Sequence, residues 1–216
     1  MVDVDFLAVS SKNRVSSRDP DKTIKVLIEA TIEQLSEVGE AGFRLGAVMR
    51  DTGVPTGSVY HHFGSREGLL AAARIEMFAR SVDEDLELLD AGLRTPASHD
   101  EFMAAIDRLI VHTNGEDRLP RRVQRAEVIG MAATNPSVAE AVGGQQRRLV
   151  EKLTERLQAA VDCGAIRVEH GIEAVAAMLL VPVNGRTIIE LDPRRPPVEQ
   201  MVAIMQKFVR SVLLRP

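Results

Sequence analysis

Residues 43–70 read FRLGAVMRDTGVPTGSVYHHFGSREGLL. Two short helix-forming segments flank Gly53-Val54-Pro55. Gly53 suits the left-handed backbone of a sharp turn, and Pro55 has a fixed φ compatible with the first turn of a helix. The segment before the turn, about Leu45 to Thr52, would place Leu45, Val48 and Met49 inward. The segment after it, about Pro55 to His62, is polar at its start and aromatic at its end, with Val59 and Phe63 as inward anchors. This layout predicts a helix-turn-helix whose second helix enters a DNA groove.

A groove-reading helix needs small or polar residues at its exposed start, and Thr56, Gly57 and Ser58 meet that need. Gly57 costs about 1 kcal/mol relative to Ala inside a helix; close approach to a surface would explain it. Tyr60 and His61 follow on the exposed side, suited to a phosphate or a base edge. Gly64-Ser65 breaks this helix, with Ser65 as N-cap of the next. Arg66 then stands where its charge and a helix N-terminus both favour phosphate. The plain alternative is an ordinary bundle with a Gly-Pro turn.

Outward from that stretch, the chain predicts an all-α protein of about nine helices. Residues 1–19 carry no sustained period and read as an arm whose Lys12, Arg14 and Arg18 either track phosphates or are simply solvated. Helix 1 starts near Pro20 with an apolar face of Ile24, Leu27, Ile28, Ile32, Leu35 and Val38, and stops at Gly39. The fourth helix, about Arg66 to Ala91, carries Leu69, Leu70, Ala73, Met77, Phe78, Val82, Leu86 and Leu89 as its apolar residues, and the acidic run Asp83, Glu84, Asp85, Glu87 reads as its solvated face. Ser98 and Glu101 have capping-box spacing before a fifth helix. A sixth spans roughly Leu119 to Ala133, with Arg118, Arg121, Arg122 and Arg125 at its start. Asn135-Pro136 opens a seventh that runs to about Val161, within which Gly143-Gly144 marks a kink or close packing. An eighth covers about His170 to Glu190, with a kink or break expected at Pro182. The last spans Val198 to Leu213. The expected domains are a reader at 20–68 and a helical domain at 69–216.

Composition narrows the function classes. With no Trp and one Tyr the core must be aliphatic. A formal net charge of −4 argues against bulk coating of DNA and leaves room for a small local reader. The lone Cys163 excludes an internal disulfide framework, and the N-terminus lacks a signal-peptide pattern, so a cytoplasmic location is expected. The longest uncharged apolar run, Val175 to Val183, is too short for a membrane span. No catalytic set, cofactor loop or metal site is expected. His61 and His62 are adjacent on a helix and so diverge by about 100°, and Cys163 has no neighbouring His.

The stretch also resembles the TetR family of bacterial transcriptional regulators. Val48 and Met49 match its helix 2 pair, Gly53-Val54-Pro55 its turn, and Gly57-Ser58-Val59-Tyr60 its recognition helix. His61-His62-Phe63 matches the aromatic close, and Ser65-Arg66-Glu67 with Leu69-Leu70 the start of the fourth helix. The resemblance covers about Thr23 to Leu70. Arg44 departs from it, standing where a capping Thr is usual; Thr52, Pro55 and Arg66 replace the common Ala, Ser and Lys. It implies DNA contacts by Arg44, Thr56, Gly57, Ser58, Tyr60, His61 and Arg66.

The resemblance further implies a homodimeric repressor on a palindromic double-stranded operator, released by a small-molecule effector. Dimerisation also follows from the few base contacts one recognition helix makes; the last two helices, apolar over much of their surface, either pack against their copies as a four-helix bundle or only fill the monomer core. The family places the ligand among the middle helices; Met77, Phe102, Ile106, Met131, Met178 and Asn184 are candidates to line the pocket, with His112 and Glu127 supplying polarity. Their character suits a largely apolar ligand. The rival reading is a helical small-molecule-binding or interaction protein that no longer reads DNA, which the net acidity and Arg44 favour slightly.

Overall fold

A computed structural model of the protein describes residues 19–216. The expected arm, with Lys12, Arg14 and Arg18, lies outside the described residues. Among these there are nine α-helices and no extended strand, only an isolated antiparallel bridge between Arg167 and Leu214. In order they are α1 (Pro20–Gly42), α2 (Leu45–Thr52), α3 (Thr56–Phe63), α4 (Arg66–Gly92), α5 (His99–Thr113), α6 (Leu119–Ala132), α7 (Pro136–Asp162), α8 (Ile172–Glu190) and α9 (Val198–Val212). A single 3-10 turn, Glu116–Arg118, precedes α6. The chain divides into two compact units inside α4, at Glu76/Met77.

The first unit is built on a small core of Leu27, Phe43, Val48, Val54, Val59 and Leu69, with Met49 and Phe63 packed against it. Asp19 caps α1 by accepting from the Lys22 amide, with Pro20 in the first turn. The buried face of α1 is Thr23, Leu27 and Thr31, not the full aliphatic stripe expected. Both threonines are tolerated there because each hydroxyl donates to the carbonyl four residues back, Thr31 to Leu27 at 2.7 Å and Thr23 to Asp19 at 3.1 Å. Gly39 breaks the helical dihedrals, and the chain then makes one further turn to Gly42. That kink turns Val38, expected in the core, out to solvent.

The turn between α2 and α3 forms as its residues require. Gly53 has φ 69° and its amide donates to Met49 O, closing α2 with a left-handed cap. Pro55 is the residue before α3. Ser65 Oγ accepts from the Gly68 amide at 3.0 Å and starts α4. At Gly68 the first turn of α4 lies so near the end of α3 that a Cβ would stand 1.9 Å from the Phe63 carbonyl oxygen.

The second unit holds a larger core from α5, α7, α8 and α9, including Phe102, Ile106, Leu153, Leu157, Ala176 and Leu213. The Ser98/Glu101 capping box forms, with Ser98 Oγ accepting from the Glu101 amide and Glu101 reaching back to the Ala97 amide. Asn135 caps α7 on Ser137 and Val138. Helix α7 runs unbroken through Gly143-Gly144, and a Cβ at either meets open space, so neither the kink nor close packing within the chain is present. Helix α8 likewise continues across Pro182 without a break. It alone among the described residues is long and apolar enough to cross a membrane. Its last turns nevertheless bury Arg186, ion-paired with Glu190, and one side of it packs on α6 and α7.

Replacing Gly68 by Ala should therefore lower the stability of the first unit by about 1–3 kcal/mol, the usual cost of overpacking. The check is the urea midpoint of the unfolding step of that unit, against the unchanged second unit.

Candidate nucleic-acid interface and ligand cavity

The outer side of the first unit is formed by α3 and the ends of its neighbours. Thr56, Gly57, Tyr60 and His61 are exposed, and Ser58 is half-buried. Tyr60 is 56% exposed, an unusual placement for the only tyrosine of an aromatic-poor chain. Val59 is fully buried and holds the helix down from beneath. A Cβ at Gly57 would meet no atom within 4 Å, so nothing inside the chain requires a glycine there. His61 and His62 stack edge to face, ring centroids 4.8 Å apart.

The two flanking arginines are partly committed. Arg44 precedes α2 without capping it through its side chain. Its guanidinium instead donates to the carbonyls of Ala41 and Phe43, and its amide to Gln34 Oε1. These bonds hold Arg44 itself, and the cap that a Thr would give α2 is not replaced by a side chain at that position. Arg66 lies over the Phe43 ring, 4.9 Å from its centroid, and 3.5 Å from Glu67 Oε1. The backbone amide at the start of α4 is the main influence holding the Glu67 carboxyl below its ordinary range, although burial opposes it. So the first amides of α4 already have partners in Ser65 and Glu67.

In the second unit a cavity of about 490 Å³ opens between α4, α5, α6, α7 and α8. Leu88, Leu89, Leu109, Leu149, Leu180 and Val183 form its apolar wall, and Asp85, Thr113, Arg125, Gln146 and Asn184 its polar part. Of the residues expected to line a pocket, Asn184 does so here. Met77 lines a separate, open cleft beside Arg80 and Arg121. Phe102 and Ile106 are buried in the core instead, since α5 turns them toward α7 and α9. Met178 points to solvent at 54% exposure, Glu127 is exposed, and Met131 is half-buried away from the cavity. His112 is exposed and paired with Arg118.

The residues that sequence reasoning missed are charged. Arg118, Arg121, Arg122 and Arg125 fall at positions i, i+3, i+4 and i+7, one helix face, and that face turns inward. Arg122 and Arg125 are 4% and 7% exposed. Asp85, expected on a solvated face, is instead drawn in by Arg121 Nη2 at 2.8 Å and by Arg125. The spacing was the available signal. Glu190 accepts from Arg122 through both oxygens, with Nε at 2.9 Å and Nη2 at 2.5 Å. Arg186 Nη2 lies 3.1 Å from the same carboxylate without hydrogen-bond geometry. Burial works to raise the Glu190 pKa, but the hydrogen bond and charge of Arg122, with the charge of Arg186, outweigh it and hold the carboxyl below its usual range. Burial first, then the charge of Arg122, pushes the Arg186 guanidinium down.

An exposed, small-residue helix start after a left-handed turn in the first unit, together with a second helical unit that has its own cavity, is the layout of a helix-turn-helix transcriptional regulator. Comparison with known proteins agrees. The model of bacterial regulatory proteins, tetR family, matches residues 27–73, and that of the BetI-type transcriptional repressor, C-terminal, matches residues 99–214. The chain belongs to the TetR family, and it is a DNA-binding transcriptional regulator. It is 27% identical over 153 residues to the HTH-type transcriptional regulator BetI of Vibrio campbellii, covering 69% of this chain and 74% of that one. It is 24% identical over 154 residues to UidR of Escherichia coli K12, covering 71% and 74%. Among solved structures, a regulator from Saccharomonospora viridis in complex with choline superposes with a TM-score of 0.63 at 18% identity, covering 90% of this chain and all of that one. Salmonella enterica GusR superposes with a TM-score of 0.62 at 18% identity, covering 93% and 99%. At these identities the structural likeness concerns the fold.

Breaking the buried cluster tests its weight. Glu190→Gln should cost about 3–5 kcal/mol at neutral pH, since two buried guanidiniums lose their carboxylate. Because the folded pKa lies below the unfolded one, this stabilisation is complete above about pH 4.3 and is lost as pH falls through the folded value. The gap in unfolding free energy between native and variant protein, followed by urea titration from pH 7 to pH 3, should narrow only below that point.

Proposed function

We propose that the chain is a cytoplasmic repressor that occupies a palindromic operator as a homodimer and is released by a small-molecule effector held in the second unit. The observation that carries the DNA contact is Gly57. A glycine near a helix start costs stability, nothing in the chain fills the space a Cβ would take, and Thr56, Ser58 and Tyr60 flank it on the exposed side. The constraint therefore comes from outside the chain, and a groove wall approaching the backbone supplies it. Arg44, Thr56, Ser58, Tyr60, His61 and Arg66 are the proposed contacts around it. Arg66 reaches a phosphate only by loosening its pair with Glu67.

The homodimer reading is supported by α8 and α9. Met178, Val181, Gly185 and Ile188 follow the i, i+3, i+7, i+10 spacing of one helix face and are all exposed. Gly185 has open space where a Cβ would stand, as a closely approaching helix needs. On α9, Ile204 and Phe208 are exposed at 67% and 41%. Contiguous apolar surface of this kind suits a second copy, packed as a four-helix bundle. A dimer also sets two recognition helices against successive major grooves.

Mobility shift on the DNA upstream of the chain's own gene tests the reader. Gly57→Ala should leave the free protein as stable or more stable, by up to about 1 kcal/mol, yet weaken operator binding. Tyr60→Phe should weaken all sites alike, while Ser58→Ala should change sequence preference. No salt-dependent shift by the folded dimer would sink the reading in favour of a helical binding protein that no longer reads DNA. For the dimer, Ile188→Asp should yield monomer in sedimentation equilibrium at micromolar concentrations where the native chain is dimeric.

A further inference from the structure

The charges at the cavity of the second unit do not match a cationic ligand. Asp85 is the one carboxylate among the residues that line it, and both of its oxygens are engaged, Oδ1 by Arg121 and Oδ2 by Arg125. No aromatic side chain stands among those lining residues, whereas quaternary ammonium groups are held by aromatic cages. A smaller cavity of about 290 Å³ shares Asp85, Arg125, Thr113 and Val183 with the larger one and adds Arg118, Arg121 and Arg122. Four guanidiniums thus surround one carboxylate beside an aliphatic chamber. Arg122 is answered by Glu190, and Arg121 has a second partner in the exposed Glu84. Among the described residues Arg125 has no carboxylate but Asp85.

Arg125 is also fixed in place. Its Nε donates to Ser81 Oγ at 3.0 Å and its Nη2 to Ser81 O at 3.1 Å, and Ser81 is itself buried. Among the described residues its Nη1 makes no hydrogen bond. A guanidinium held by two bonds to one helix, at the polar end of an apolar chamber, is pre-organised to receive an anion without further ordering.

We infer that the second unit binds an amphiphilic monocarboxylate, with its apolar tail among Leu88, Leu109, Leu149 and Leu180 and its carboxylate on Arg125, in competition with Asp85. This rests on the reading of the second unit as effector-binding. The ligand carboxylate exchanges for that of Asp85 on Arg125 while Asp85 keeps Arg121, so neither guanidinium and neither carboxylate is left without a charged partner. Because Asp85 belongs to α4, the exchange releases one of the ties between α4 and α6. Ligand and tie therefore oppose one another thermodynamically, and each weakens the other by the same factor.

The test is calorimetric titration of the full-length protein, without DNA, with octanoate, 1-octanol and octyltrimethylammonium. Octanoate should bind once per chain, about tenfold or more tighter than either other probe, as a charge-assisted pair requires. Asp85→Asn should tighten octanoate severalfold by removing its competitor while leaving octanol unchanged; a merely structural Asp85 would show loss or no change. Arg125→Met, if folded by circular dichroism, should abolish the preference for octanoate over octanol. The proposal is overturned by no octanoate binding, by octanol or octyltrimethylammonium binding as tightly, or by an Asp85→Asn variant that binds octanoate no better. Operator binding is measured separately by mobility shift. A chain that shifts DNA but ignores octanoate loses only the ligand class, and one that binds octanoate but shifts no DNA loses only the repressor reading.

Discussion

Two carboxylates each shared by two arginines set the interior of the second unit. Arg121 and Arg125 hold Asp85, and Arg122 with Arg186 holds Glu190. All but Arg186 of these guanidiniums come from one face of α6, so this helix is tied to α4 through one carboxylate and to α8 through the other. Burying such groups is unfavourable unless nearly every charge and donor finds a partner, and an interior built this way gains little net stability over an apolar one. What it gains is a fixed register. An aliphatic core of Leu, Val and Ile tolerates sliding, whereas a helix shifted by one residue here would strand several buried charges.

The same constraint explains where a ligand fits. The leucine-lined chamber lies against the Asp85 cluster, not the Glu190 one. The Glu190 cluster is closed by further bonds, from Arg122 to the carbonyls of Thr113 and Gly115 and from Arg186 to Asn114. The Asp85 cluster adjoins open volume. Stability and recognition thus use one chemistry at two degrees of closure, separated by less than the length of α6.

The reader was legible in the sequence because its information is local. Gly53, Pro55, Val59 and Ser65 act on the backbone within a few residues of themselves, and the turn, the buried anchor and the α4 cap appear where their chemistry demands. Helix order and most boundaries follow for the same reason, through Pro20, Ser98 and Asn135-Pro136 at helix starts. What was not legible depends on partners distant in sequence. Arg125 meets Ser81 and Asp85 forty and more residues away, and polarity alone assigned Asp85 to solvent. Phe102 and Ile106 were equally ambiguous, since an apolar side chain is the same letter in a core and in a cavity wall. Thr23 and Thr31 were passed over because the hydroxyl hides in the helix's own carbonyls, which makes a polar residue behave as a small apolar one.

The close approach at Gly68 has a wider meaning. The Phe63 carbonyl occupies the place of any larger side chain, so the angle between α3 and α4 is written into the absence of a single carbon atom. In this chain a larger side chain at 68 would have to open the joint and turn α3 in another direction, so one position sets both how the joint packs and where the recognition helix is aimed.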